Sequence, residues 1–238
     1  MKKILVLFAL IVIGFSSEGL SQQIALFFDE ADALFGTYVS NGKVDYKSLI
    51  DNKESLEETL GLAAEVLVST SDANNYQAFW INAYNLAVMK GVLDNYPLKS
   101  PLDKSGFFDK TKYELGGSSI TLNDIENKML RAKFKDARVH FVLVCGAKGC
   151  PPIISKAYRP ENVQKLLEQQ TIKALNNSSF IKVSDGTVAL SEIFKWYKED
   201  FISENQSEID FVNTYRKEKI TPDSKVTYYS YDWRLNSK

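Results

Sequence analysis

"VHFVLVCGAKGC", residues 139–150, holds both cysteines and the single histidine of a 238-residue chain. Its first seven residues are apolar on either side of any strand axis, so they read as a strand buried on both faces at the centre of a sheet. On such a strand the five-residue offset between His140 and Cys145 spans ~16 Å and sends the two side chains to opposite faces. A Cys–His dyad is therefore not expected while the strand stays regular. Gly146 and Gly149 allow the positive φ of a tight turn, which favours the two cysteines meeting each other. Three readings of the pair stay open: a structural disulfide, a catalytic or redox-active thiol, and metal ligation. The spacing is not C-x-x-C, and a zinc site with one histidine would have to draw on carboxylates.

Outward from this stretch the periodicity predicts a helix-rich chain with inserted strands. Apolar positions recur at helical spacing over 23–38, over 53–67 and most clearly over 74–97, where Ser71 or Asp72 supplies an N-cap and Pro97 the stop. "KVDY" (43–46) reads as a short strand. "KYELGGSSITL" (112–122) reads as a hairpin turning at Gly116–Gly117, and Thr121 with Asp124 as the cap of a helix over 122–134. Beyond the cysteines, a helix is expected over about 160–176 and a hairpin turning at Asp185–Gly186. Helices over 191–201 and 207–217 and a strand over 225–233 complete the chain. The expected class is α+β, one domain, helix-rich with a central mixed or antiparallel sheet.

The first 21 residues, "MKKILVLFALIVIGFSSEGLS", join two lysines, an apolar run from Ile4 to Phe15 and small polar residues. They read as a secretory signal peptide cut after Ser21, with an apolar run too short to span a membrane. The remainder, residues 22–238, is expected to be exported to the periplasm or secreted, with no membrane span after signal removal. With 45% hydrophobic residues the chain can bury a core without disulfide support. A formal net charge of −1 and the absence of a Lys/Arg cluster argue against nucleic acid as a partner. No G-x-G-x-x-G, P-loop or Gly-x-Ser-x-Gly occurs, and no cofactor is expected.

Four further residues join the cysteines as site candidates. His140 is the only imidazole available for acid–base work near neutral pH, set against the plainer role of a packed core histidine. Asn82 and Asn85 share a face of the helix over 74–97, where an amide without partners costs ~1–3 kcal/mol. They either pin loop backbone or line a polar cleft as orienters or oxyanion donors. Glu126 is an acid on the next helix, able to align an imidazole or simply to face solvent.

"FWINAYNLAV", "LNDIE", "VHFVLVCGAKGCPPI", "LSEIFKWYKEDF" and "YDWRLN" resemble, in order, the motifs of the domain of unknown function 547 (DUF547) family, from about residue 45 to the C-terminus. The resemblance puts weight on Trp80, Asn82, Tyr84, Asn85, Glu126, His140, Cys145, Cys150 and Pro151, and implies an exported bacterial protein. It implies no activity. The order of long helix, hairpin and His-led strand is also similar, more distantly, to the papain and transglutaminase arrangement, except that both cysteines here follow the histidine. Two functions follow as expectations. One is a hydrolase or acyl-transferase with His140 as base, Cys145 or Cys150 as nucleophile, Asn82 and Asn85 as orienters and Glu126 aligning the imidazole. The other is a non-catalytic module for a small molecule, peptide or glycan, its loop fixed by a Cys145–Cys150 bridge.

Overall fold

A computed structural model describes residues 17–202 and 206–238. The apolar run of the expected signal peptide lies outside the described residues. Helix α1 (Ser17–Tyr38) begins earlier than its periodicity predicts and leads through a two-residue ribbon, β1 (Val39–Ser40) and β2 (Lys43–Val44), into α2 (Tyr46–Ile50). That short helix was not foreseen. Asp45, expected inside a strand, caps it by accepting the Ser48 N–H at 3.1 Å. Next, α3 (Lys53–Glu65) packs beside α4 (Ala73–Asp94), which starts where the sequence places it, with Asp72 accepting the Asn75 N–H at 3.2 Å.

Helix α4 is buried on nearly every face, from Tyr76 to Met89 without interruption. A helix buried all round has no solvent side, and the other elements wrap it as the axis of the core. The hairpin β3 (Lys112–Leu115) and β4 (Ser118–Thr121) turns at Gly116–Gly117 as expected, and Thr121 accepts the Asp124 N–H at 3.1 Å. From there α5 (Leu122–Asp124), a π-helical stretch (Ile125–Arg131) and α6 (Ala132–Phe134) form one continuous rod.

The expected central strand over 139–145 does not form. Residues Ala137–Phe141 make a 3-10 turn opened by Asp136, and 142–145 run on without a strand neighbour. The run is buried on all sides, as its composition demands, yet its backbone partners come from elsewhere. Val142 N and Leu143 N donate to Val139 O, while the Asn85 side chain takes the Val144 N–H at 2.8 Å and gives an N–H to Val142 O at 3.0 Å. One amide thus makes the paired bonds that a neighbouring strand would make.

After α7 (Val163–Leu175), the hairpin β5 (Lys182–Ser184) and β6 (Thr187–Ser191) turns at Asp185–Gly186. The helix expected over 191–201 is broken at Tyr197 into α8 (Glu192–Trp196) and α9 (Lys198–Phe201). Then α10 (Glu208–Tyr215) leads to β7 (Lys225–Tyr229), which pairs parallel to β6. Among the described residues the sheets are therefore two hairpins and a three-stranded mixed sheet, and the run over 139–145 belongs to none of them. The class is α+β, with one continuous hydrophobic core.

Candidate functional site

The break at Tyr197 builds one wall of a cavity of about 250 Å³. Ser191 caps α8, and the interruption lets Trp196 reach the cavity while Tyr197 stacks on the His140 ring at a centroid distance of 4.2 Å. One turn further, Asp200 Oδ2 lies 2.7 Å from His140 Nε2. Arg131 grips the same carboxylate from the other side, its Nε at 2.6 Å and Nη2 at 2.9 Å. This bidentate clamp fixes the carboxylate plane and with it the rotation of the imidazole.

The π-helical stretch supplies the opposite carboxylate. In a regular α-helix Glu126 and Arg131 would point about 140° apart, whereas i→i+5 bonding stacks residues five apart on one face. Here Glu126 faces the histidine and Arg131 the Asp200 carboxylate that holds it. Glu126 Oε1 lies 3.7 Å from His140 Nδ1, beyond hydrogen-bond distance. His140 is thus held by Asp200 at one nitrogen and faces a carboxylate at the other. With the Nε2–H directed at an ionised Asp200, a neutral ring keeps the Nδ1 lone pair free on the Glu126 side.

Burial pushes the Asp200 carboxyl up, but hydrogen bonds from His140 and Arg131 outweigh it and hold Asp200 well below the usual carboxylate range. A depressed folded-state value means that this pair stabilises the fold above the unfolded carboxylate value of ~3.9 and that the contribution fades as pH falls through the folded value. Equilibrium unfolding of the wild type and Asp200→Asn from pH 6 downwards checks this. The stability gap is expected to be constant to about pH 4 and to close below it; a gap that stays unchanged at low pH would refute the ion pair. Burial, reinforced by the Glu126 charge, also pushes the Tyr84 and Tyr197 phenols up, so both stay protonated as donors in the wall.

The cysteines complete the cavity. Cys145 and Cys150 are joined, with Cα atoms 6.3 Å apart. Their loop is anchored to the C-terminal tail: Lys148 N donates to Arg234 O at 2.7 Å, Gly149 N to Asp232 O at 2.8 Å and Asn236 N to Gly146 O at 2.9 Å. Gly146 sits at φ +81°, and a Cβ on Gly149 would lie 3.0 Å from the Tyr231 ring and from Asp232 N. A side chain at 149 would separate loop from tail. Gly149→Ala is expected to lower stability by about 1–2 kcal/mol, checked by urea unfolding; an unchanged midpoint would show the tail free to give way.

Of the sequence candidates, Glu126, His140, Cys145 and Cys150 line one cavity. His140 and Cys145 share it because the strand that would have separated them is absent. Asn82 and Asn85 do not line it. Asn82 donates to Tyr158 O at 2.6 Å and Ala78 O at 3.0 Å and accepts from Tyr158 N at 3.0 Å, and Asn85 bridges Val142 and Val144. Both amides bond buried backbone. Tyr84 lines the cavity, whereas Trp80 packs against Phe79 and Tyr76 away from it. Asp200, Tyr197, Trp196, Tyr231 and Trp233 were not singled out as site residues. Their signal lay in the two C-terminal motifs, where Asp200, three residues after the Trp196-Tyr197 pair, has no cation at helical spacing to explain it. Among the described residues no group of three or more His, Cys, Asp or Glu side chains is arranged to hold a metal ion. No helix among them is long and apolar enough to cross a membrane.

The fold and site define an α+β protein whose cavity sets a carboxylate-held histidine beside a cysteine pair. Residues 68–175 match the family described as "Protein of unknown function, DUF547". The match takes in the first three motifs and the residues Glu126, His140, Cys145 and Cys150, and is narrower than the span from about residue 45 to the C-terminus that the motifs suggested. Asp200 and Tyr231 lie beyond it. No curated protein and no solved structure matched the chain.

Proposed function

We propose that the cavity is the active site of an exported hydrolase or acyl-transferase in which His140 is the acid–base group and Glu126 its partner. The observation that carries this reading is the two-sided setting of His140, tied through Nε2 to Asp200 and open through Nδ1 toward Glu126. A water or substrate hydroxyl placed beside Nδ1 and Glu126 is within reach of both, as general base catalysis requires. The joined cysteines close the thiol-nucleophile route while the bridge stands, and Asn82 and Asn85 have their N–H groups engaged with backbone carbonyls. Export is supported by the leader-like sequence and by a cysteine pair in bonding contact. Mass analysis of the secreted protein is expected to find a mature chain starting at Gln22.

A non-catalytic module for a small molecule, peptide or glycan is the second reading. It is favoured by Trp196, 45% exposed and stacked on Trp233 at the cavity mouth. A panel of chromogenic esters and amides, assayed with and without iodoacetamide, separates the two. The catalytic reading expects turnover insensitive to alkylation and lowered ~10²-fold by Glu126→Gln. Ligand binding by calorimetry with no turnover across the panel would give the module instead.

A further inference from the structure

The bridge stands in the wall of the cavity, and nothing in the architecture needs it as a staple. The loop over 145–150 is already held to the tail by three backbone bonds, two of which make the Ala147–Leu235 pairing, and a ring closed by so short a separation removes less chain entropy than a longer one would. What surrounds the sulfurs is chemically specific. Cys150 Sγ accepts the backbone N–H of Cys145 at 2.9 Å and lies 2.9 Å from the Tyr231 hydroxyl, which is also 3.1 Å from Cys145 Sγ. Burial pushes the Tyr231 phenol up, so it remains a donor. Its position is set by Glu192, which accepts the Tyr231 N–H at 2.8 Å, and by packing on Trp196 and Trp233.

From the two donors converging on Cys150 and the half-buried, cavity-facing Cys145, we infer that Cys145–Cys150 is an exchange-active disulfide that oxidises peptide dithiols docking in this cavity. The activity is separate from water activation at His140. A substrate thiolate attacks Cys145 Sγ. The bond between the cysteines breaks, and its electron pair leaves on Cys150 Sγ, where the Tyr231 hydroxyl and the Cys145 N–H stabilise the thiolate. Donors that lower the leaving thiol's pKa speed this step. The second substrate thiolate attacks the mixed disulfide, forming the substrate's own disulfide and releasing Cys145 as a thiolate. Two electrons pass from the dithiol to the bridge, and two protons lost by the substrate end on the cysteine pair. A low-molecular-weight disulfide, accepting those electrons in turn, restores the bridge. The loop stays in place in the reduced form because its backbone bonds to the tail do not depend on the bridge.

The test uses the full mature protein. Reduction by dithiothreitol is followed by acid quench, alkylation and intact mass, in native buffer and in denaturant. The bridge is expected to reduce ~10-fold faster when native, with most of the gain lost in Tyr231→Phe. In reduced Cys145→Ser, the pH dependence of Cys150 alkylation is expected to give a pKa a unit or more below the ordinary ~8.5. In Cys150→Ser, oxidised glutathione is expected to leave a mixed disulfide on Cys145. A bridge that yields to dithiothreitol only after unfolding overturns the inference, as does a Cys150 that titrates at or above the ordinary value.

Discussion

His140→Ala is expected to lower turnover of the esters or amides that the cavity accepts by ~10²–10⁴-fold, the range in which a positioned acid–base group acts. The loss should fall on kcat, because the ring is 4% exposed and has Nε2 engaged by Asp200, leaving Nδ1 toward Glu126. Removing it also leaves space between Tyr197 and Phe201, whose rings lie 4.2 Å and 5.3 Å from the imidazole. Thermal unfolding of the variant is therefore measured alongside the kinetics. Asp200→Asn is the sharper companion, since it keeps the volume. An asparagine sets its NH2 against an Arg131 N–H in either orientation, at Oδ2 also against His140 Nε2, so the acceptor pair that fixes the imidazole and its Nε2–H is lost. Its kcat is expected to fall by at least ~10²-fold with KM nearly unchanged. Activity retained in both variants would move the chemistry away from His140.

Asn85→Ala is expected to cost about 3 kcal/mol of folding stability, read from the shift in urea midpoint. The side chain is buried within α4, and its truncation orphans Val142 C=O and Val144 N–H in an environment without access to solvent. Each orphaned buried group costs ~1–3 kcal/mol. Asn85→Asp is expected to be no better, because a carboxylate still accepts from Val144 N but meets the Val142 carbonyl with like charge. The same backbone lies between His140 and Cys145, so the variant should also loosen the cavity and reduce any activity assayed there. A midpoint shift worth less than ~1 kcal/mol would mean that the segment finds other partners. Asn82→Ala tests the parallel case at Tyr158, remote from the cavity, and is expected to lose stability by a comparable amount without the same effect on the site.

Where structure follows from neighbours in the chain, it was legible. The N-cap at Asp72, the turn at Gly116–Gly117, the Thr121 cap and the turn at Asp185–Gly186 each depend on side chains and dihedrals within four residues. The α+β class followed from these, and so did the grouping of His140 with the cysteine pair as the chemically unusual stretch. The break at Tyr197 was not legible, because the apolar pattern over 191–201 continues through it. The interruption serves packing, placing Tyr197 on His140 and Asp200 against its Nε2.

The sequence by itself determined that residues 139–144 are buried, since every residue of that run but His140 is apolar. It did not determine what satisfies their backbone. Hydrophobicity is a property of each residue, whereas a hydrogen-bond partner is a property of the fold, and the partner here is an amide some 57 residues earlier. Once Asn85 takes the place of a strand, the alternation that would have parted His140 from Cys145 disappears and both enter one cavity. Asp200, 60 residues after His140, and Tyr231, 81 residues after Cys150, reach that cavity only through tertiary packing. Sequence separation carries no information about such contacts, so only the folded chain decided which carboxylate holds the histidine and which hydroxyl faces the sulfurs.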